Sequence, residues 1–253
     1  MFLPLIPLKR LFYFVSGIVA SNGFQSCSTE LNECFFLEDE ITASRNFDVS
    51  KFDEVISNWP GNYVIKQGPK HSLEVTGSQR YIDSLSQHLS DGKLYLENNV
   101  PFCQSSEPFR VTLTLPYLKH VFVNAESNIE IKDFINQDEL TLKLTENSRL
   151  KLQRYEGLRQ LNVSLSQNAK LLVTQKNKPL EKLDIKVEGS GEFRGYNIPT
   201  NNTAINIDGK GYCEVNTLTK LSVIIKGEGH VFTKGSPSIY KRITGRGDVY
   251  FND

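Results

Sequence analysis

The chain has 253 residues, and its 29 Lys and Arg residues balance its 29 Asp and Glu residues, so the formal net charge is zero. This balance, without a basic block or stripe, argues against nucleic acid as a partner. The length allows one or two domains with a sizeable core, and beyond the N-terminal segment no apolar run reaches the length of a transmembrane helix.

The N-terminus has the pattern of an export signal. Lys9 and Arg10 precede a short apolar run over 11–20, and small residues follow it, which is typical of a cleaved secretory segment. Two cleavage sites compete. Ordinary processing follows Ala20, whereas the Phe-Gln-Ser-Cys sequence ending at Cys27 is a degenerate lipoprotein box in which Cys27 becomes the acylated first residue. The sequence thus predicts an exported protein at the outer membrane, cell surface or periplasm, attached to a membrane only through lipid.

The four cysteines fit an exported protein. If Cys27 carries lipid, Cys34 and Cys103 form a disulfide in an oxidising compartment or remain as two free thiols. Cys213 lies in an apolar column and is interpreted as a small core residue. No Cys-x-x-Cys occurs and the four histidines are scattered, so neither a metal site nor a cofactor is predicted.

The first half of the chain after the signal is predicted to be mainly β. Residues 27–40 are polar and acidic and predict a tether. Alternating apolar residues then predict successive strands, which lie at 47–55, 63–66, 73–75, 94–96 and 111–115. Before the fourth strand, apolar residues spaced three and four apart predict one short amphipathic helix over 78–89. Asp91-Gly92 predicts a hairpin turn after it.

The second half contains a repeat marked by Gly-x-Gly turns. Glycine lets the backbone adopt a positive φ and turn sharply. The glycines of the four copies are Gly189 and Gly191, Gly209 and Gly211, Gly227 and Gly229, and Gly245 and Gly247. Ser127, Ser148 and Ala169 occupy the place of the second glycine in earlier, degraded copies. The leading glycine of those copies is replaced by Ala125, Glu146 and Gln167, so looser turns are expected there.

Apolar residues hold the same positions in every copy. Two positions after the second glycine lies the Ile129 column, which comprises Ile129, Leu150, Leu171, Phe193, Cys213, Val231 and Val249. The Val123 column lies four positions before the second glycine and comprises Val123, Leu144, Leu165, Val187, Ile207, Ile225 and Ile243. Six positions before it lies the Val121 column, which comprises Val121, Leu142, Val163, Ile185, Ile205, Val223 and, as its one polar member, Lys241.

Period-2 alternation places these columns on one face of each strand. A repeat of about 20 residues with two strands per unit predicts one coil of a stacked solenoid, because a single coil cannot bury its own inner face. An antiparallel sandwich of hairpins is the competing fold. The shared register of seven units favours the solenoid.

The order of the motifs resembles a known family. The motifs are Arg45–Val55, Val64–Gly68, Asp91–Leu96, Val111–Leu118 and the terminal Gly-Arg-Gly-Asp-Val that ends at Val249. Together they resemble the putative auto-transporter adhesins with a head GIN domain over about residues 38–251. The resemblance implies an all-β fold, a right-handed parallel β-helix, in an exported or lipid-anchored protein of Bacteroidetes with a role in adhesion. Relatives often carry cysteines where Cys34 and Cys103 lie.

With this family in view, four segments are predicted. They are a signal peptide or lipoprotein signal at 1–26, the tether at 27–40, an N-terminal β region of the head GIN domain at 41–116 and its repeat solenoid at 117–253. The last coil leaves a strand edge with little to cover it, which predicts a homo-oligomer formed through that edge.

The outward residues bear on function. An enzyme with a β-helical fold would be expected to group acidic residues in its site. The outward row beside the turns instead mixes basic, acidic and neutral residues, so no catalytic activity is predicted. This row comprises Asn128, Arg149, Lys170, Glu192, Tyr212, His230 and Asp248. The Arg-Gly-Asp tripeptide ending at Asp248 is explained by the repeat itself. Four outward aromatics of the last coils form the candidate contact surface for a glycan or a surface protein, and these are Tyr196, Tyr212, Phe232 and Tyr250. Ordinary β-propensity on a half-exposed sheet is the favoured explanation of these residues, and a contact surface is the functional one. An envelope scaffold is the alternative function, followed by a polysaccharide-acting enzyme.

Overall fold

Parallel strands wind into a solenoid of about six turns with roughly 21 residues per turn, which confirms the predicted β-helical fold class. The structure, a computed structural model, describes residues 42–98 and 109–252, all of which belong to one compact unit. No helix among these residues is long and apolar enough to cross a membrane.

The structure contains nineteen strands and one helix within the described ranges. In chain order they are β1 (Thr42–Phe47), β2 (Glu54–Ser57), β3 (Gly61–Gln67), β4 (Ser72–Ser78), α1 (Gln79–Ser84), β5 (Leu85–Ser90), β6 (Lys93–Asn98), β7 (Arg110–Leu115), β8 (His120–Val123), β9 (Ser127–Lys132), β10 (Glu139–Leu144), β11 (Arg149–Leu152), β12 (Gln160–Gln167), β13 (Lys170–Val173), β14 (Leu180–Gly189), β15 (Glu192–Gly209), β16 (Tyr212–Gly227), β17 (His230–Lys234), β18 (Ser238–Gly245) and β19 (Asp248–Phe251).

Each coil adds one strand to each of two faces. The first face stacks β6, β2, β8, β10, β12, β14, the second halves of β15 and β16, and β18. The second face stacks β7, β3, β9, β11, β13, the first halves of β15 and β16, β17 and β19. The Gly-x-Gly turns carry the chain from the first face to the second.

The N-terminal rungs are exchanged relative to their order in the chain. Strands β2 and β3 lie between the rung of β6 and β7 on one side and the rung of β8 and β9 on the other. The segment that comes first in sequence is therefore the second rung in space. Its register continues the repeat, because Val55 pairs with Val121 and Tyr63 pairs with Ile129.

Antiparallel strands cover the N-terminal end of the solenoid. Strand β4 pairs with β7, β1 pairs with β4, and β5 pairs with β6. The predicted helix over 78–89 is too long, because α1 ends at Ser84 and the following residues form β5. Asp91 and Gly92 have φ values of 52° and 78° and make the predicted hairpin turn between β5 and β6. Most of the strand predicted over 47–55 is a loop, because β1 ends at Phe47 and β2 begins only at Glu54.

The three apolar columns run through the core as predicted. Pairing places each member of the Ile129 column beside the next, from Ile129 to Val249. All seven of its members are buried. In the last coil Lys241 is exposed, and its Nζ lies 3.2 Å from Asp248 Oδ1. The columns supply the apolar burial that offsets the ordering of the backbone.

The two glycines of each turn are needed for different reasons. The leading glycines have positive φ values, from 84° at Gly189 to 122° at Gly209. The second glycines are needed because a side chain at these positions would collide with neighbouring atoms. A Cβ at Gly229 would lie 2.5 Å from Ile207 Cγ2 and 2.9 Å from the carbonyl oxygen of Gly211. The turns also form a ladder of their own, in which the N–H of Lys210 donates to the Gly189 carbonyl at 2.7 Å.

Two of the three degraded turns keep the backbone geometry of the glycine turns, whereas Ala125 in the first of them does not have a positive φ. Glu146 and Gln167 both have a φ of 57°, so they keep the left-handed conformation without glycine and carry its strain. Gln167 still pairs with Gly189 in the next coil. Ser148, in the place of the second glycine, is fully buried, and its hydroxyl lies 2.7 Å from the carbonyl oxygens of Ala125 and Thr145.

The C-terminal rung has a partner on one side only. Within the described residues β18 pairs with β16, and β19 pairs with β17. Tyr240 and Phe251 on these strands are each 61% exposed. A homo-oligomer through this edge stays a prediction.

Candidate contact surface on the second face

Three of the four predicted aromatic residues form a continuous row of ring contacts. The rings of Phe232 and Tyr250, neighbours in register on β17 and β19, lie 4.9 Å apart at 19°. The ring of Tyr212 on β16 lies diagonally 5.1 Å from Phe232. We call Tyr212, Phe232 and Tyr250 the aromatic ladder. Stacked parallel strands bring these residues together from three successive coils.

The aromatic ladder faces outward. Tyr250 is 42% exposed, while Tyr212 and Phe232 are half-buried. Phe251, the next residue along β19, points to the opposite side of the strand and pairs with the buried Thr233, so its exposed ring does not belong to this surface. Aromatic faces that remain in contact with water are available for stacking on a ligand.

Tyr196 lies apart from the aromatic ladder. Lys234 Nζ is 4.9 Å from the centroid of its ring, and Asn252 Nδ2 donates a hydrogen bond of 2.8 Å to its hydroxyl. Within the described part of the chain, no ring contact joins it to the three ladder residues. Desolvation raises the pKa of the Tyr196 hydroxyl.

Charged groups border one end of the aromatic ladder. The Tyr212 hydroxyl donates to Glu214 Oε1 at 2.6 Å. Burial, together with this hydrogen bond, raises the pKa of Tyr212 to about 12, so the hydroxyl remains a donor at neutral pH. The Arg194 guanidinium lies 5.7 Å from the centre of the Tyr212 ring and is paired with Glu192. The surface thus combines apolar rings with a carboxylate and a cation.

Sequence reasoning missed one member of this surface, His230. It pairs in register with Tyr212 and Asp248, and its ring lies 5.7 Å from that of Tyr250. Its Nδ1 atom is buried without a hydrogen-bond partner. The sequence does place His230 in the outward row beside the turns. That row contains residues of every charge type, so His230 could not be singled out.

The Arg-Gly-Asp tripeptide is part of the stacked turns. The Arg246 side chain is paired with Glu228 of the preceding coil. Asp248 accepts a hydrogen bond of 2.8 Å from the backbone N–H of Val249 and pairs with Lys241. Both charged groups are therefore engaged within the solenoid.

The described residues contain no group of three or more His, Cys, Asp or Glu side chains placed to hold a metal ion. Cys213 is fully buried, and burial raises the pKa of its thiol, which suits a core residue. Cys27, Cys34 and Cys103 fall outside the residues that the structure describes, so lipidation and the disulfide stay predictions.

The family model described as "Putative auto-transporter adhesin, head GIN domain" matches residues 51–237. No curated protein matches the chain significantly. Among solved structures, a putative adhesin from Bacteroides fragilis NCTC 9343 is 18% identical with a TM-score of 0.74, and the match covers 84% of this chain and 97% of that one.

Two structures from Parabacteroides distasonis ATCC 8503 are also similar. A putative adhesin is 19% identical with a TM-score of 0.67, covering 85% of this chain and 98% of its own. A putative lipid binding protein is 19% identical with a TM-score of 0.66, covering 84% and 97%. At these identities the likeness shows a shared fold.

Proposed function

Because the chain belongs to the putative auto-transporter adhesin, head GIN domain family, we propose that it is an exported, non-catalytic β-solenoid that attaches to a glycan at the cell surface. The aromatic ladder is the contact surface. The observation that carries this proposal is the outward stack of Phe232 on Tyr250, with Tyr212 beside it.

The chemistry of the aromatic ladder suits a sugar. A pyranose ring presents C–H groups on its face and hydroxyls at its edge, and an aromatic ring provides the matching apolar surface. The Glu214 carboxylate beside Tyr212 supplies an acceptor for a hydroxyl. Successive rungs are about 4.8 Å apart, so the stack offers contacts along the axis of the solenoid.

Replacing Tyr212, Phe232 and Tyr250 together with serine tests the contact surface. We expect glycan and cell binding to fall at least about tenfold, since each lost aromatic contact is worth about 0.5–1.5 kcal/mol. A glycan array followed by titration of the bound glycans measures the loss. Circular dichroism and the melting temperature show whether the variant keeps its fold.

The matched control replaces three exposed apolar residues away from the ladder with serine. Tyr117, Leu218 and Tyr240 are 57%, 43% and 61% exposed. This control should bind as the unmodified protein does. Unchanged binding by the ladder variant would remove the proposal, and an unmodified protein that binds neither glycan nor cells would favour the envelope scaffold.

Attachment to the membrane is proposed to depend on lipid at Cys27. Palmitate labelling of the full chain in a bacterial host should mark the protein, and the Cys27→Ala variant should lose the label. Label retained in that variant would contradict lipidation at Cys27. An unlabelled protein that begins just after Ala20 would instead support ordinary signal cleavage.

A further inference from the structure

A second concave site lies on the same face of the solenoid, toward its N-terminal end. A cavity of about 370 Å³ is lined by side chains from β7, β3, β9 and β11. We define the cationic pocket by five of them, namely Asn62, Arg110, Asn128, Arg149 and Lys151. Its volume is at the small end of ligand sites, large enough for one sugar unit with its substituents.

The exchanged rungs assemble this pocket. Register places Arg110 beside Asn62, Asn62 beside Asn128, and Asn128 beside Arg149. The two arginines are thus three rung spacings apart, about 14 Å along the axis, and flank a pair of amides. Lys151 lies two residues after Arg149 on the same strand and the same face.

The cations of the pocket have no carboxylate partner. Arg110, Arg149 and Lys151 form no ion pair with any described residue, and all three are exposed. The carboxylate in the lining, Glu130, lies 3.6 Å from Lys132 Nζ instead. On the next rung of the same face, by contrast, Lys170 pairs with Glu192 at 2.9 Å. Glu130 also lies beside Lys151 in register, so the lining holds three cations against one carboxylate and carries a net positive charge.

The amides add neutral donors between these charges. Asn128 Nδ2 donates to Asn62 Oδ1 at 3.2 Å, which leaves the amide hydrogens of Asn62 without an acceptor among the described residues. Guanidinium groups bind carboxylate, sulfate and phosphate oxygens through paired N–H donors. The arrangement presents several donors and, apart from Glu130, no competing anion.

We propose that the cationic pocket binds the anionic substituent, a carboxylate or a sulfate, of an acidic glycan. The choice of a glycan rests on the proposed function, whereas anion binding by the pocket does not. The row from Asn128 to Tyr212 crosses four rung spacings, about 19 Å. A single extended chain of several sugars spans both sites.

The test compares two variants with equal loss of charge. Arg110→Gln with Arg149→Gln empties the pocket of its guanidinium groups. Lys226→Gln with Arg242→Gln removes from the first face two exposed cations that form no ion pair with any described residue, and it serves as the control. Binding of heparin, polygalacturonate and neutral dextran to the full-length protein is measured by calorimetry at low and moderate salt.

We expect the pocket variant to bind heparin or polygalacturonate at least about tenfold more weakly, since two charge-assisted contacts are lost. The control should weaken binding by less than about threefold through general electrostatics. Heparin alone would identify a sulfate ligand, and polygalacturonate alone a uronate. Equal losses in both variants, or no binding of either polyanion by the unmodified protein, would overturn the proposal.

The same measurement with the ladder variant separates the two sites. One outcome is that the arginine substitutions weaken polyanion binding while the serine substitutions in the aromatic ladder leave the affinity unchanged. In that case the ladder fails as a contact surface and the cationic pocket stands. If the serine substitutions in the aromatic ladder weaken polyanion binding and the arginine substitutions do not, the proposal for the cationic pocket fails and the aromatic ladder stands.

Discussion

Replacing Gly209 with alanine is expected to lower the free energy of unfolding by about 3 kcal/mol. Gly209 has a φ of 122°, a region that residues with a side chain rarely adopt. An added Cβ would also lie 2.7 Å from the carbonyl oxygen of Gly189. That carbonyl accepts the turn hydrogen bond from Lys210, so the clash and the lost hydrogen bond act together.

Urea denaturation followed by circular dichroism measures this loss. The matched comparison is Gln167→Gly, made two coils earlier in the same column of turns. Gln167 is held at a φ of 57°, so glycine relieves strain there and should raise stability by about 0.5–1 kcal/mol. A Gly209→Ala protein as stable as the unmodified one would contradict the role assigned to the stacked turns.

Replacing Phe193 with alanine should cost about 3–5 kcal/mol, the usual loss when a buried aromatic is removed. Phe193 is fully buried in the Ile129 column between Leu171 and Cys213. Neither neighbour can fill the space, because rung spacing fixes the backbone on both sides. Denaturant unfolding measures the loss, and a cost below about 1 kcal/mol would show that the column does not hold the coils together.

A double-mutant cycle makes this test specific. The Phe193 ring occupies the space that a side chain at Gly195 would need, since a Cβ there would lie 2.3 Å from Phe193 Cε1. Gly195→Ala should therefore be destabilising in the unmodified protein and much less so in the Phe193→Ala background. Equal costs in both backgrounds would mean that the two sites do not contact each other as described.

The repeat half of the fold could be predicted because its information is local. Ile129, Leu150 and Leu171 recur at nearly constant spacing, and each is buried against its equivalent in the next coil. Glycines mark the later turns. Glu146 and Gln167 show the limit of that signal, since stacking holds them in a left-handed conformation that their side chains disfavour.

The helix predicted over 78–89 is present as α1 but is shorter than predicted, for a reason that lies in the spacing itself. Leu85 and Leu89 are four residues apart, which fits both a helical face and alternate positions of a strand. Asp91-Gly92 then folds this segment back onto β6, where Leu89 pairs with Leu94. Tertiary pairing decided between two patterns that the sequence alone leaves equal.

The two candidate surfaces differ in how visible they are in sequence. Tyr212, Phe232 and Tyr250 belong to consecutive coils, so their proximity follows from the register of the repeat. Arg110 joins the other site only because β7 lies beyond β3 in space, and no repeat marks that strand. The aromatic ladder could therefore be predicted, and the cationic pocket could not.

The exchanged rungs also dictate the order in which this protein can be completed. A polypeptide that emerges amino end first presents Glu54–Gln67 long before either neighbour exists, since one is made by Lys93–Leu115 and the other by His120–Lys132. Closing such long loops costs entropy before any pairing repays it. The leading segment therefore has no complete neighbouring rung until residue 115 has arrived, and it is enclosed on both sides only after residue 132. During that interval its backbone donors and acceptors lack a strand partner on at least one side.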